Sequence, residues 1–314
     1  MALIKALVQR ELVVSEAVFP VLNTARDKLT KKYQKFIKQN AFYKKEFLLD
    51  SGNVEAFFVC KPNSPAWLSN SAKLIECWFQ AESSKSRSWV EDQFNEIRDW
   101  FDEDVFFVLY PDNFELIDFL KKLNFVPDLL ISRGSVIRAK KLLHQQYSRI
   151  PSLESLGYEV SPLKEECEVP KIIEILDHEF QTKAHYAWFK KNSRYLDIQE
   201  EKLKSYLSSE RSSAYCLYRD HRLLGYFGYM IDDDDAIWGS TAGTEFICAP
   251  ALQGKGLLKS MYSVLLRGLI DKGVPVIRGG ASHPAMMAMY KKLGRIPSGI
   301  LMRYGVGANI KFKV

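Results

Sequence analysis

The residues with the clearest chemical potential lie between Thr244 and Leu269. Thr244-Glu245-Phe246-Ile247-Cys248-Ala249 is apolar and free of breakers until Pro250, the pattern of a short buried strand. Gln253-Gly254-Lys255-Gly256 follows, and then Leu258, Met261, Leu265, Leu266 and Leu269 recur at helical spacing. A strand, a glycine loop and a helix start, in that order, make an anion site. The first helical turn has orphan N–H groups at the positive end of the helix dipole, and glycines let backbone approach the ligand closely. Lys255 adds a positive charge or is simply an exposed turn lysine.

With those residues in place, the run Cys248–Leu257 resembles the acetyl-CoA loop of the GNAT superfamily of N-acetyltransferases. That loop begins with Gln or Arg, has Gly three residues on, and ends two residues later in Gly or Ala. Gln253 and Gly256 match the first two positions, and Leu258 stands at the third, which implies altered packing beneath a pyrophosphate. The resemblance implies acetyl-CoA as co-substrate, bound along Phe246, Ile247 and Cys248 and by Gln253, Gly254, Lys255, Gly256, Leu257 and Leu258, with no metal. It also singles out Tyr290, which matches the family tyrosine near the CoA sulfur. A phenol, pKa about 10 when unperturbed, suits protonation of a departing thiolate. The alternative for Tyr290 is a helix tyrosine covering the core.

His283 stands where the family has asparagine; its ring either bonds the pantetheine amide or caps the following helix. Glu245 is on the strand from which such enzymes place a carboxylate base. Because strand residues alternate sides, it faces either the cleft or the opposite layer. His178 and His185 are weaker substitutes. Cys248 reads as a small buried residue rather than a nucleophile, with no histidine beside it. Asp232–Asp235 read as a solvated turn.

The chain has 314 residues, enough for about two domains with a packed core each. The net charge of +6 is spread along the chain with no basic-aromatic cluster, which argues against a nucleic-acid binder. No apolar run is long enough to span a bilayer. The first residues mix Lys5, Gln9, Arg10 and Glu11 among apolar ones, unlike a signal peptide. Five scattered cysteines without CxxC spacing read as reduced, buried thiols. The expectation is a cytoplasmic protein, monomer or homodimer, acting on a small-molecule, peptide or protein amine, with neither nucleic acid nor membrane as partner.

An internal repeat organises the elements. Asn113–Pro127 aligns without gaps on His283–Pro297, an offset of 170 residues, with Lys-Lys-Leu on Lys-Lys-Leu and proline on proline. The same offset puts Ser83-Ser84-Lys85-Ser86 on Gln253-Gly254-Lys255-Gly256 and Leu120 on Tyr290. The expected fold is therefore α/β (α+β), two tandem GNAT-like domains, each a mixed, mostly antiparallel twisted sheet flanked by helices. Residues 1–145 form a degenerate copy lacking the glycine loop, and 152–314 the acetyltransferase copy with it. A helix is expected over Ser15–Lys38, a closing strand over Leu129–Ile137, a polar linker over His144–Pro151 and a helical region over Tyr186–Leu207, which the resemblance implies lids the acceptor cleft and whose Trp188, Phe189, Tyr195 and Tyr206 either line a pocket or pack the two copies together. Two alternatives stay open: a CoA-binding or interaction protein without catalysis, and transfer of a different acyl group.

Overall fold

The computed structural model describes residues 2–40, 43–48, 54–61, 73–79, 84–99, 105–182, 194–249, 252, 254–305 and 311. In chain order the elements are α1 (Ala2–Glu16), α2 (Ala25–Asn40), β1 (Tyr43–Leu48), β2 (Val54–Lys61), β3 (Lys73–Phe79), α3 (Ser84–Glu96), β4 (Val105–Leu109) and α4 (Phe114–Lys122). They continue with β5 (Phe125–Ser135), α5 (Val136–Gln146), β6 (Glu159–Pro162), α6 (Val169–Thr182), α7 (Tyr195–Leu207), β7 (Ser213–Arg219) and β8 (Arg222–Asp235). The last are β9 (Gly239–Cys248), α8 (Leu258–Asp271), β10 (Val276–Ala281), α9 (Pro284–Lys292) and β11 (Ile296–Tyr304). The chain has the mixed α/β architecture expected.

Two compact units result: Met1–Ile131 with Gly280–His283 and Pro297–Val314, and Ser132–Gly279 with Pro284–Ile296. This division is not the linear one at 145 and 152. In the first unit the strands run β1-β2-β3-β4-β11-β5, so its sheet includes a strand from the far end of the chain. Ile300–Arg303 of β11 pair antiparallel with Leu109–Phe106 of β4. β3 and β4 are parallel, β1, β2 and β3 antiparallel. Leu3 and Leu7 of α1 pack on Val54, Phe57 and Val59 of β2. The single helix expected over Ser15–Lys38 is instead two. Pro20, which has no N–H to donate, falls in the break, and Ser15 O accepts from Val18 and Phe19 as α1 closes.

The second unit begins at the end of β5, whose strands then run β10-β9-β8-β7-β6. β6 to β9 are antiparallel neighbours, whereas β9 and β10 are parallel. The expected hairpin after β7 turns at Asp220-His221, both with positive φ, a two-residue type I′ signature. α8 buries Met261, Leu265, Leu266 and Leu269, the stripe its sequence spacing announced. The polar stretch expected as a linker is partly helix: α5 runs to Gln146, started by a Ser135 hydroxyl that caps Arg138 N–H, and buries Val136, Ala139 and Leu143.

Asp232–Asp235 continue β8 rather than turning the chain, and they are not merely solvated. Asp232 pairs with Arg278 at 2.7 Å and Asp233 with Arg211 at 3.2 Å, while Asp235 accepts from the backbone of Ile237 and Trp238. Among the described cysteines Cys216 is buried and Cys248 half-buried, but Cys167 is exposed, contrary to expectation, because it sits on a surface helical turn. Burial pushes the Cys216 thiol up to about 12. Among the described residues no helix is long and apolar enough to cross a membrane.

Candidate functional site

The site is built around the place where two parallel strands part. β9 and β10 register only at Thr241/Val276, Ala242/Ile277 and Gly243/Arg278. Beyond Gly243, the β9 residues Thr244–Cys248 remain paired with Tyr229–Gly225 of β8, and among the described residues none of β10 registers with them. Phe246, Ile247 and Cys248, on the stretch of β9 past this parting, are all half-buried.

The glycine loop follows that stretch. Gly254 and Gly256 have φ of +75° and +72°, and a Cβ at either would meet no atom within 4 Å. The glycines are therefore there for their backbone conformation, not for lack of room. Leu252 and Leu257 anchor the turn with 6% and 5% exposure, while Lys255 is exposed. Leu257 is the N-cap of α8 and supplies no side-chain acceptor, so the side chain leaves the first N–H groups of α8 open to an anion. Leu258 is the first helical residue and half-buried. Gln253 lies outside the described residues, as do His185, Trp188 and Phe189.

The first copy does something different with the matching residues. α3 is already helical at Ser84, whereas Leu258, the first residue of α8, falls on Ser88 at the repeat offset. Where glycines make a left-handed turn in one copy, serines simply continue a helix in the other. Ser86 is fully buried and donates to Glu55 Oε1 at 2.6 Å. Near this helix start the protein supplies its own carboxylate.

Glu245 and Phe246 are consecutive on β9 and leave opposite faces of the sheet. Phe246 packs at a tilt against Tyr262 of α8, centroids 4.5 Å apart. Glu245 points the other way, to α7 and β8: Lys202 Nζ donates to Oε1, and the Tyr206 and Tyr226 hydroxyls lie 3.2 Å from Oε2. This settles the orientation that alternation left open. Burial, reinforced by the charge of Glu245, pushes both phenols up, so both stay protonated donors. The carboxylate thus accepts from an ammonium on Oε1 and lies within reach of two phenols at Oε2, and its side chain keeps 24% exposure. His178 is exposed on α6. Tyr195, expected in the lid, packs edge-on against Phe180 at 4.7 Å.

Tyr290 of α9 is 2% exposed, and its hydroxyl lies 3.3 Å from where a Cβ on Gly279 would sit, just past the last β9/β10 pair. The phenol thus reaches the parting of the strands, on the Phe246 side of β9 where Tyr262 also lies; Glu245 is on the other. His283 is half-buried just before α9 and belongs to the first compact unit. Sequence reasoning missed Tyr226, Lys202, Tyr262 and Arg295. Only Arg295 left a sequence signal, since the repeat places Phe125 opposite it. Among the described residues no cluster of three or more His, Cys, Asp or Glu could hold a metal ion.

No family model and no curated protein matches the chain. Solved structures do. A GCN5-related N-acetyltransferase from Sphaerobacter thermophilus is similar over 87% of this chain and 84% of its own, at 11% identity and a TM-score of 0.51. A GCN5-related N-acetyltransferase from Kribbella flavida is 11% identical over 91% of this chain and 96% of its own, with a TM-score of 0.47. A tandem GNAT protein from the clavulanic acid biosynthesis pathway is 10% identical over 98% and 96%, with a TM-score of 0.45. The first likeness shows the fold: this chain has the fold of the GNAT acetyltransferases.

Proposed function

We propose that the second unit binds acetyl-CoA and transfers its acetyl group to an amine by direct attack. The observation that carries this reading is the parting of β9 and β10 at Gly243, next in sequence to a left-handed glycine turn and an uncapped helix start. A pantetheine arm is slender and carries amides, so it can lie along β9 past Gly243, where β10 no longer registers with it. The pyrophosphate then meets N–H groups of the glycine loop and the first turn of α8, with the Lys255 side chain beside it; the Lys255 N–H itself already donates to Leu252 O at 3.3 Å. Tyr290 is the proton donor to the sulfur. Glu245 accepts the amine proton, directly or through water.

The acceptor is a small-molecule, peptide or protein amine, in a cytoplasmic monomer or homodimer that engages neither nucleic acid nor membrane. One observation favours a second reading, in which CoA is held without turnover. Glu245 is held by the Lys202 ammonium and faces the Tyr206 and Tyr226 hydroxyls. Calorimetric titration of acetyl-CoA, followed by thiol-release assays over a panel of amines and peptide N-termini, separates the readings. Binding with release supports transfer, binding without release across the panel supports the second reading, and no binding overturns both.

A further inference from the structure

Arg295 occupies a position that ordinarily holds an apolar residue. α9 ends in a Schellman motif: Gly294, φ +65°, donates to Lys291 O at 3.0 Å, and Arg295 N–H donates to Tyr290 O at 3.0 Å. That motif folds the residue after the glycine back onto the helix residue five before it, commonly as a hydrophobic contact. Here it lays the guanidinium over the Tyr290 ring, 3.6 Å from its centroid. The other copy shows the ordinary solution. Asn124 takes the left-handed position, φ +68°, and Leu120 and Phe125 stand where Tyr290 and Arg295 do, 0% and 1% exposed.

The guanidinium is 5% exposed, and its Nη2 donates to Ser132 O at 2.8 Å and Gly279 O at 3.3 Å. Its Nε and Nη1 have no hydrogen-bond partner, and no carboxylate among the described residues pairs with it. Room for it is made at Gly134, where a Cβ would come within 2.7 Å of Arg295 Cγ. The surrounding elements offer Tyr290 from α9, Tyr262 from α8, Arg138 near Gly294 from α5, and carbonyls from β5 and β10. The Tyr262 hydroxyl lies beside Thr244 and Arg295 in the same buried cluster. A buried cation lacking a counter-charge is costly unless an anion arrives. Gly279 O, which it grips, lies one residue past the last β9/β10 pair.

We propose that Arg295 is a positioning residue that fixes Tyr290 at the parting of β9 and β10 and supplies the counter-charge for the departing CoA thiolate. The inference rests on the acetyl-CoA reading above. When the amine nitrogen has bonded to the carbonyl carbon, the C–S bond breaks and its electron pair goes to sulfur. The amine proton leaves to base, and sulfur takes a proton from the Tyr290 hydroxyl, which regains one from solvent. Arg295 exchanges no proton. Its charge lowers the energy of the sulfur anion while that anion exists.

The test compares the affinities of CoA and acetyl-CoA by calorimetry from about pH 7 to about pH 9.5, a range spanning the ordinary thiol pKa of about 8.5. Only CoA can present a thiolate. In the wild type the preference for CoA over acetyl-CoA rises by about sevenfold across that range, the linkage expected if bound thiol ionises about one unit lower than free. Arg295→Met flattens the rise to within about twofold, and Arg295→Lys, which keeps the charge, retains most of it. A merely structural arginine changes the melting temperature and leaves the wild-type ratio flat. A flat wild-type ratio, or an undiminished rise in a folded Met variant, overturns the inference while leaving the acetyl-CoA reading intact. If the Met variant does not fold, the wild-type and Lys profiles still decide it. Absence of any acetyl-CoA binding overturns both.

Discussion

Gly256→Ala isolates what the glycine turn contributes. At this position φ is +72° and the space a Cβ would enter is open, so the substitution introduces no collision. The whole cost is the left-handed backbone of an L-residue, about 1–2 kcal/mol. The chain can escape that cost by turning right-handed and lengthening α8, as α3 already does from Ser84. Either route withdraws the N–H groups from a bound pyrophosphate, so acetyl-CoA affinity should fall by about 5–30-fold, the equivalent of 1–2 kcal/mol. The control is Gly273→Ala at the opposite end of α8, where φ is +69° and the space is equally open. It carries the same strain, so it should lower the melting temperature without weakening acetyl-CoA binding. Calorimetry and thermal melts on both variants give the comparison. If Gly256→Ala binds within about twofold of wild type, or Gly273→Ala loses as much affinity, the turn is not the anion cradle and the reasoning fails.

Tyr290→Phe should lower kcat by about 10²-fold while leaving acetyl-CoA affinity near wild type, because the hydroxyl matters once charge develops on sulfur. A kcat within about twofold of wild type would make this 2%-exposed ring a packing residue. One acetyl-CoA should bind per chain at saturation, since Ser86 in the first copy is helical and bonded to Glu55; a measured stoichiometry near two refutes that. Arg303→Met should destabilise the first unit by about 3–5 kcal/mol by breaking its buried pair with the Asp128 carboxylate, 3% exposed and 3.5 Å from the guanidinium. Urea unfolding should show most of that loss recovered on adding Asp128→Asn, and a single variant as stable as wild type would show the pair contributes nothing.

The local order of the chain was legible because it depends on near neighbours. The strand–glycine–helix run, the stripe of α8, the hairpin at Asp220-His221 and the repeat all follow from periodicity, turn chemistry and spacing. So did the contrast between glycines and serines, though its outcome is helix continuation in the first copy rather than a strained loop. The break at Pro20 and the helix α5 were misread. A proline near the start of a polar helix and a polar stretch with few apolar residues carry weak local signals, which packing of Val136, Ala139 and Leu143 then overrides.

Tertiary structure alone decided what depends on partners distant in sequence. No spacing rule pairs β11 with β4, because strand partners are chosen by which edges remain free once the helices have packed. The side of β9 from which Glu245 emerges needed the register of β8 and the position of α7, and with them came Lys202, Tyr206 and Tyr226. The phenylalanine-to-arginine change between the copies at Arg295 is plain in the sequence. Its meaning comes from a left-handed glycine that turns the side chain onto Tyr290 and from two carbonyls, Ser132 and Gly279, far away along the chain. The sequence by itself determined which elements form and which residue types they carry. Burial and long-range register determined which of those residues meet, since a buried charge gains its partners only from whatever the completed fold brings beside it.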